Sequence, residues 1–172
     1  MKQIFKLLMV TMLFAFVCNV LPASAQSPKS IMYERGYRAD VQIGPVIDSD
    51  YTLYTLSTSH GYSFGNGLYV GGGIGLYITP AEMGGYKTRY QVPIFAEIKY
   101  SFLDWIVSPF VDLKAGGFYD YTLGGTGYVI RPSIGVDIWR FSISAGWDHN
   151  RFRWDIGRFG NPGWHVGVSY NF

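Results

Sequence analysis

The sequence predicts an all-β fold, an eight-stranded antiparallel up-and-down transmembrane β-barrel. Three observations predict it. Alternation of apolar with small or polar residues recurs in eight segments, and a period of two puts successive side chains on opposite faces of a strand. The apolar stripes run roughly 9–11 residues, the length a tilted strand needs to cross a bilayer, and several begin and end on aromatic residues. The face opposite the stripes is mostly Gly and Ser with a few charges, whereas a water-facing exterior would be dense in Lys and Glu. A soluble lipocalin-like barrel would turn its apolar face inward; a membrane barrel does the reverse.

The first 25 residues stand apart. Lys2 and Lys6 give a positive start, Leu7 to Val17 is almost wholly apolar, and Ala23-Ser24-Ala25 fits a small-residue cleavage site. Residues 1–25 read as a secretory signal peptide, too short in its core to span a membrane, with cleavage expected before Gln26. Residues 26–172 suit one domain. Cys18 raises a lipoprotein alternative, but Val17 precedes it where a small residue is wanted, so removal with the signal peptide is preferred. No cysteine then remains to form a disulfide. Both signal lysines leave too, so twelve basic and twelve acidic residues balance. Nucleic acid is therefore not an expected partner.

The strands follow in order. The first is Tyr37-Ala39-Val41-Ile43 against Arg38-Asp40-Gln42-Gly44. The second, within Leu53 to Phe64, has the apolar phase Tyr54-Leu56-Thr58-His60-Tyr62; its histidine leaves a bulge or the opposite phase open. The third is Leu68-Val70-Gly72-Ile74-Leu76-Ile78, and the fourth Tyr90-Val92-Ile94-Ala96-Ile98-Tyr100. The fifth reads Pro109-Val111-Leu113-Ala115, the sixth Tyr128-Ile130-Pro132-Ile134-Val136-Ile138, and the seventh Phe141-Ile143-Ala145-Trp147. The eighth is Trp164-Val166-Val168-Tyr170-Phe172. It should pair with the first, near Tyr37 to Ile43, because closure leaves no backbone edge in lipid.

Links at Gly65-Asn66-Gly67 and Trp139-Arg140 have tight hairpin spacing, and the one around Leu103-Asp104-Trp105 is a little longer. The other four, Pro45 to Tyr51, Thr79 to Arg89, Tyr119 to Gly127 and His149 to Pro162, are longer. Short turns at one end and longer loops at the other predict an outer-membrane barrel with periplasmic termini and extracellular loops.

On the inner face Arg38 and Asp40, Glu97 and Lys99, and Asp112 and Lys114 form i, i+2 couples, joined by Arg131, Asp137 and Asp148. The interior of an eight-stranded barrel is just wide enough for side chains to fill it. Opposite charges there should pair across strands, since an unpaired buried charge is costly. An ion path and a structural salt-bridge plug are both open readings, and the narrow bore favours the plug.

The chain resembles the small eight-stranded outer-membrane barrels of the OmpA/OmpX type, and most of all the outer-membrane β-barrel domain family of Bacteroides-like bacteria. The likeness rests on the signal peptide, Ser108-Pro109-Phe110-Val111-Asp112, Pro132-Ser133-Ile134-Gly135-Val136 and the strand from Trp164 to Phe172. It covers nearly all of residues 26–172. The resemblance implies an assembly signal in the last strand, with Trp164, Tyr170 and Phe172 as interface anchors. It also implies the barrel-assembly machinery, the lipid bilayer and lipopolysaccharide as partners, and carries no catalytic constellation.

Asp148, His149 and His165 would lie near the outer mouth, where an acid/base or nucleophile-activating cluster would define a hydrolase or acyltransferase. No serine has a convincing place beside them, and two histidines with one carboxylate match no recognised metal-ligand spacing. Gly71-Gly72-Gly73-Ile74-Gly75 lacks the Lys-Ser/Thr of a phosphate loop and opens no helix. Arg and aromatics mix in Asp148 to Arg158, a stretch fit either to touch lipopolysaccharide phosphates or to be a solvated tip. The expectation is a non-enzymatic barrel without cofactor or metal, structural in the envelope or engaged in surface interaction. A narrow pore and the Asp148/His149/His165 enzyme stand as alternatives.

Overall fold

Alternating chains of this kind satisfy their backbone by pairing sideways, and closure removes the two exposed edges. The computed structural model describes residues 30–48, 52–81, 87–154 and 157–172, and the side chains of these except 153–161. Residues 1–25, read from the sequence as a signal peptide, lie outside them. A 3₁₀ turn at Ile31–Tyr33 leads into β1 (Gly36–Ile47), β2 (Thr52–Ser63), β3 (Leu68–Thr79) and β4 (Arg89–Ser101). β5 (Val107–Asp120), β6 (Gly125–Ile138), β7 (Phe141–Trp154) and β8 (Gly157–Asn171) follow. Each strand is antiparallel to its neighbours, and β8 pairs with β1 to close the barrel.

The register shows how the strands wind. Gly36 lies opposite Ser63, which leads on through Tyr69, Lys99, Asp112, Ser133, Gly146 and His165 to Val46. One circuit thus returns to β1 ten residues above its start. Such a stagger tilts the strands, and eight of them enclose a bore that side chains can fill.

Every strand shows the expected faces. Ile43, Leu56, Ile74, Ile94, Leu113, Ile134, Ile143 and Val168 are exposed on the outside. Tyr54, Tyr90, Tyr119, Tyr128, Trp147 and Trp164 rim this apolar wall toward one end. Tyr37, Tyr62, Tyr100, Phe102, Trp105 and Phe172 rim it toward the end that carries the termini. Trp147 and Trp164 meet edge to face with centroids 5.0 Å apart, the geometry that ring quadrupoles favour.

One open point is decided in favour of the phase read from the sequence, and two expectations need correction. The β2 register is continuous on both sides, without a bulge, and the Tyr54 phase faces outward. His60 is tolerated there because Tyr37 Oη lies 2.5 Å from its Nδ1 and Thr58 Oγ1 lies 3.2 Å from Nε2. First, the expected loops at Tyr119 to Gly127 and His149 to Pro162 are largely strand. Their links shrink to Tyr121–Gly124 and 155–156, because backbone pairing continues beyond the aromatic rim wherever neighbouring strands are long enough to support it. Second, β8 meets β1 from Asp40–Asn171 to Ile47–Trp164, higher than the expected Tyr37 to Ile43. The chain ends short of Tyr37, level with Ala39, where Phe172 N–H donates to Ala39 O at 2.8 Å.

That seam has one close approach. Gly44 and Pro45 make no ladder pair with β8, although Ile43 and Val46 on either side do; proline brings no N–H. A Cβ placed on Gly44 would sit 1.9 Å from Val166 O. Gly44→Ala is expected to force the two backbones apart and cost about 1–3 kcal/mol, read as a lower denaturant midpoint of the refolded barrel.

Candidate functional site: the charged lumen

The inner faces converge on the bore, and the described cations there repeat one arrangement. Each is held by a carboxylate on one side and an aromatic ring on another. Nearest the termini, Lys99 Nζ donates to Asp137 Oδ1 at 2.6 Å and lies 4.0 Å from the Phe110 centroid. Ser101 and Ser142 hydroxyls donate to the same carboxylate at 2.8 and 2.5 Å. In the middle, Lys114 Nζ is 3.6 Å from Glu97 Oε1 and 5.4 Å from the Phe95 centroid, and donates to Gln42 Oε1 at 2.9 Å. Higher up, Arg131 donates to Asp148 Oδ2 through Nε at 2.7 Å and Nη2 at 2.5 Å. Its guanidinium lies 5.2 Å from the Tyr77 ring, whose hydroxyl accepts at 2.6 Å. At the loop end Arg89 pairs with Asp120 and lies 4.7 Å from the Phe152 centroid.

Rings fill the space beside the cations because glycines on neighbouring strands leave room for them. A Cβ on Gly135 would meet the Phe110 ring at 2.5 Å. The pattern combines small wall, ring, cation and carboxylate. Cation–π contact and ion pairing together offset the desolvation that burial imposes on each charge.

Apolar clusters lie toward both ends of the bore among the described residues. Toward the termini the 3₁₀ turn tucks under the barrel, where Ile31 and Met32 pack on Tyr69. Ser63 Oγ donates to Met32 O at 2.6 Å, Tyr33 Oη to Ser101 O at 3.1 Å, and Arg38 Nε to Ile31 O at 3.2 Å. Toward the loops Val46, Leu53 and Tyr77 form one cluster, and Phe118, Val129 and Phe152 another.

The residues singled out in the sequence are thus distributed as follows. Glu97, Lys99, Asp112, Lys114, Arg131, Asp137 and Asp148 line the bore, and none of the i, i+2 couples pairs within its own strand. Arg38 sits at the mouth and pairs with Glu34 at 2.7 Å. Asp40 and Asp112 receive hydroxyls from Ser59 at 2.7 Å and Ser133 at 3.1 Å. Trp164 and Phe172 are exposed on the outer wall, and Tyr170 stacks edge-on between Phe141 and Phe172.

Asp148, His149 and His165 do not converge. Asp148 is engaged by Arg131, His165 is buried in the bore with both ring nitrogens unpartnered, and His149 is on the outer face near the Tyr128 ring at 6.3 Å. The alternation already placed His149 with Trp147, so its parity was readable. Unread in the sequence were the Arg89–Asp120 pair, the rings that flank the cations, and the closing turn at Ile31–Tyr33. Asp148 to Arg158 belongs to the β7–β8 hairpin, and part of it lies among the side chains outside the description.

No family model and no curated protein matches the chain. Among solved structures, the N-terminal β-barrel domain of Pseudomonas aeruginosa OprF is similar over 81% of this chain and 100% of its own. The TM-score is 0.49 and the identity 14%. The Yersinia pestis outer membrane protein Ail, solved in a phospholipid bilayer nanodisc, covers 80% of this chain and 100% of its own, with a TM-score of 0.46 and 16% identity. Likeness at this level carries nothing about activity or partners.

Proposed function

We propose that this chain is an integral outer-membrane β-barrel, non-enzymatic and non-conducting, that serves envelope integrity or surface interaction. The supporting observation is an exposed apolar wall, rimmed by aromatic residues at both ends, around a lumen filled by paired charges and rings. Water would solvate that wall poorly, whereas lipid tails solvate it well, with Trp and Tyr at the interfaces. Periplasmic termini and extracellular loop ends, contact with lipopolysaccharide phosphates through the Arg-containing β7–β8 hairpin, and reading of Phe172 by the assembly machinery belong to the same proposal.

Fractionation and electrophysiology test it. The chain should sediment with outer membranes and change gel mobility on boiling. On this reading the ring-flanked pairs and apolar clusters fill the bore, so planar bilayers should show no reproducible conductance. Ion-selective steps would overturn the filled-lumen reading, and a soluble periplasmic chain would overturn the membrane one.

A further inference from the structure

The lumen pairs do not exhaust its charges. Arg38, Arg89, Lys99, Lys114 and Arg131 are matched to Glu34, Asp120, Asp137, Glu97 and Asp148. Asp40 and Asp112, each 8% exposed, have no cation within ion-pair distance among the described residues. Each accepts one serine hydroxyl through Oδ2, and Oδ1 of each has no partner. Glu97 Oε2 is also unpartnered.

A second observation is independent of the carboxylates. Ser57 Oγ and both ring nitrogens of His165 are buried without a partner as well. Ser57 lies opposite Gln42, the residue that accepts from Lys114. Both the Gln42 amide and the His165 ring come within 3 Å of where a Cβ on Gly167 would stand. The polar atoms that lack partners therefore lie about one level of the bore, around Gln42 and Lys114, between the two apolar ends.

We propose that this level holds a hydrated monovalent cation. Asp40, Glu97 and Asp112 share Lys114 and Lys99, the latter already paired with Asp137, and uncompensated charge in a buried site is costly. Among the described residues no three His, Cys, Asp or Glu side chains converge closely enough to hold a metal ion. Directly ligated calcium or magnesium is therefore a poor fit. A small cation held through water satisfies the charge, and its water, each molecule of which needs two to four polar partners, satisfies Ser57 and His165. Such a site goes beyond the proposed function and needs only the closed barrel, wherever that barrel resides.

The bore is loaded by having the cation present while the barrel folds. The full chain would be refolded into detergent in sodium, potassium, rubidium or choline chloride at equal ionic strength and neutral pH. Sodium or potassium, unlike the bulky choline, should shift the unfolding equilibrium about tenfold toward the folded barrel once the free ion stands at roughly ten times its Kd. Rubidium-grown crystals should show anomalous density between Asp40 and Asp112. In Asp40→Asn/Asp112→Asn the preference for sodium over choline should vanish, and Ser57→Ala should weaken it. Equal stability in all four salts would overturn the proposal. So would rubidium found only outside the bore, or mild acid in choline fully replacing sodium, which would assign the compensation to protons. Should the double variant fail to fold, the rubidium density in the unaltered chain decides.

Discussion

Arg131→Met should destabilise the barrel by about 3–5 kcal/mol, the cost of stranding a buried carboxylate without its cation. Asp148 would keep only the Asn150 amide, at 3.1 Å, among the side-chain donors it now has. Tyr77 Oη would lose its guanidinium donor as well. Equilibrium denaturation of the refolded chain, followed by tryptophan fluorescence, reads the change. The companion variant Arg131→Met/Asp148→Leu removes both charges and should recover most of the loss, since apolar replacement of a whole buried pair is often neutral or stabilising. A single variant as stable as the parent would mean that Asp148 reaches water and that this part of the lumen is open.

Ile94→Arg is the second large effect. Ile94 is 66% exposed, midway along the β4 stripe between the Tyr90 and Tyr100 rims. In lipid, an arginine at that depth costs about 2–4 kcal/mol. In a water-soluble barrel the same change would be neutral or would improve solubility. Unfolding in lipid vesicles, with Ile94→Leu as the control, therefore separates the two settings. Indifference to Ile94→Arg would contradict a bilayer around this wall.

Much of the fold was legible because strand alternation is a local property. Whether Lys99 or Ile98 faces the bore follows from parity, and parity survives any tilt of the strands. The β2 phase was harder to read because His60 breaks the apolar series; its acceptance depends on Tyr37 from the neighbouring strand. Strand ends were harder still. Nothing local distinguishes a loop from a hairpin that rises past the rim, so β7 and β8 run longer than their apolar stripes.

The sequence by itself determined a closed eight-stranded wall and which side chains line each of its faces. Tertiary structure alone decided which charge meets which. Lys99 reaches Asp137 across an intervening strand, 38 residues on, and Lys114 reaches Gln42 across the bore, 72 residues away. Those meetings are set by the ten-residue stagger of the closed register, which no single strand encodes. The same stagger left Asp40 and Asp112 beside serines rather than cations. The physical reason is range: alternation acts between neighbours in the chain, whereas ion pairing acts between whichever groups closure brings together.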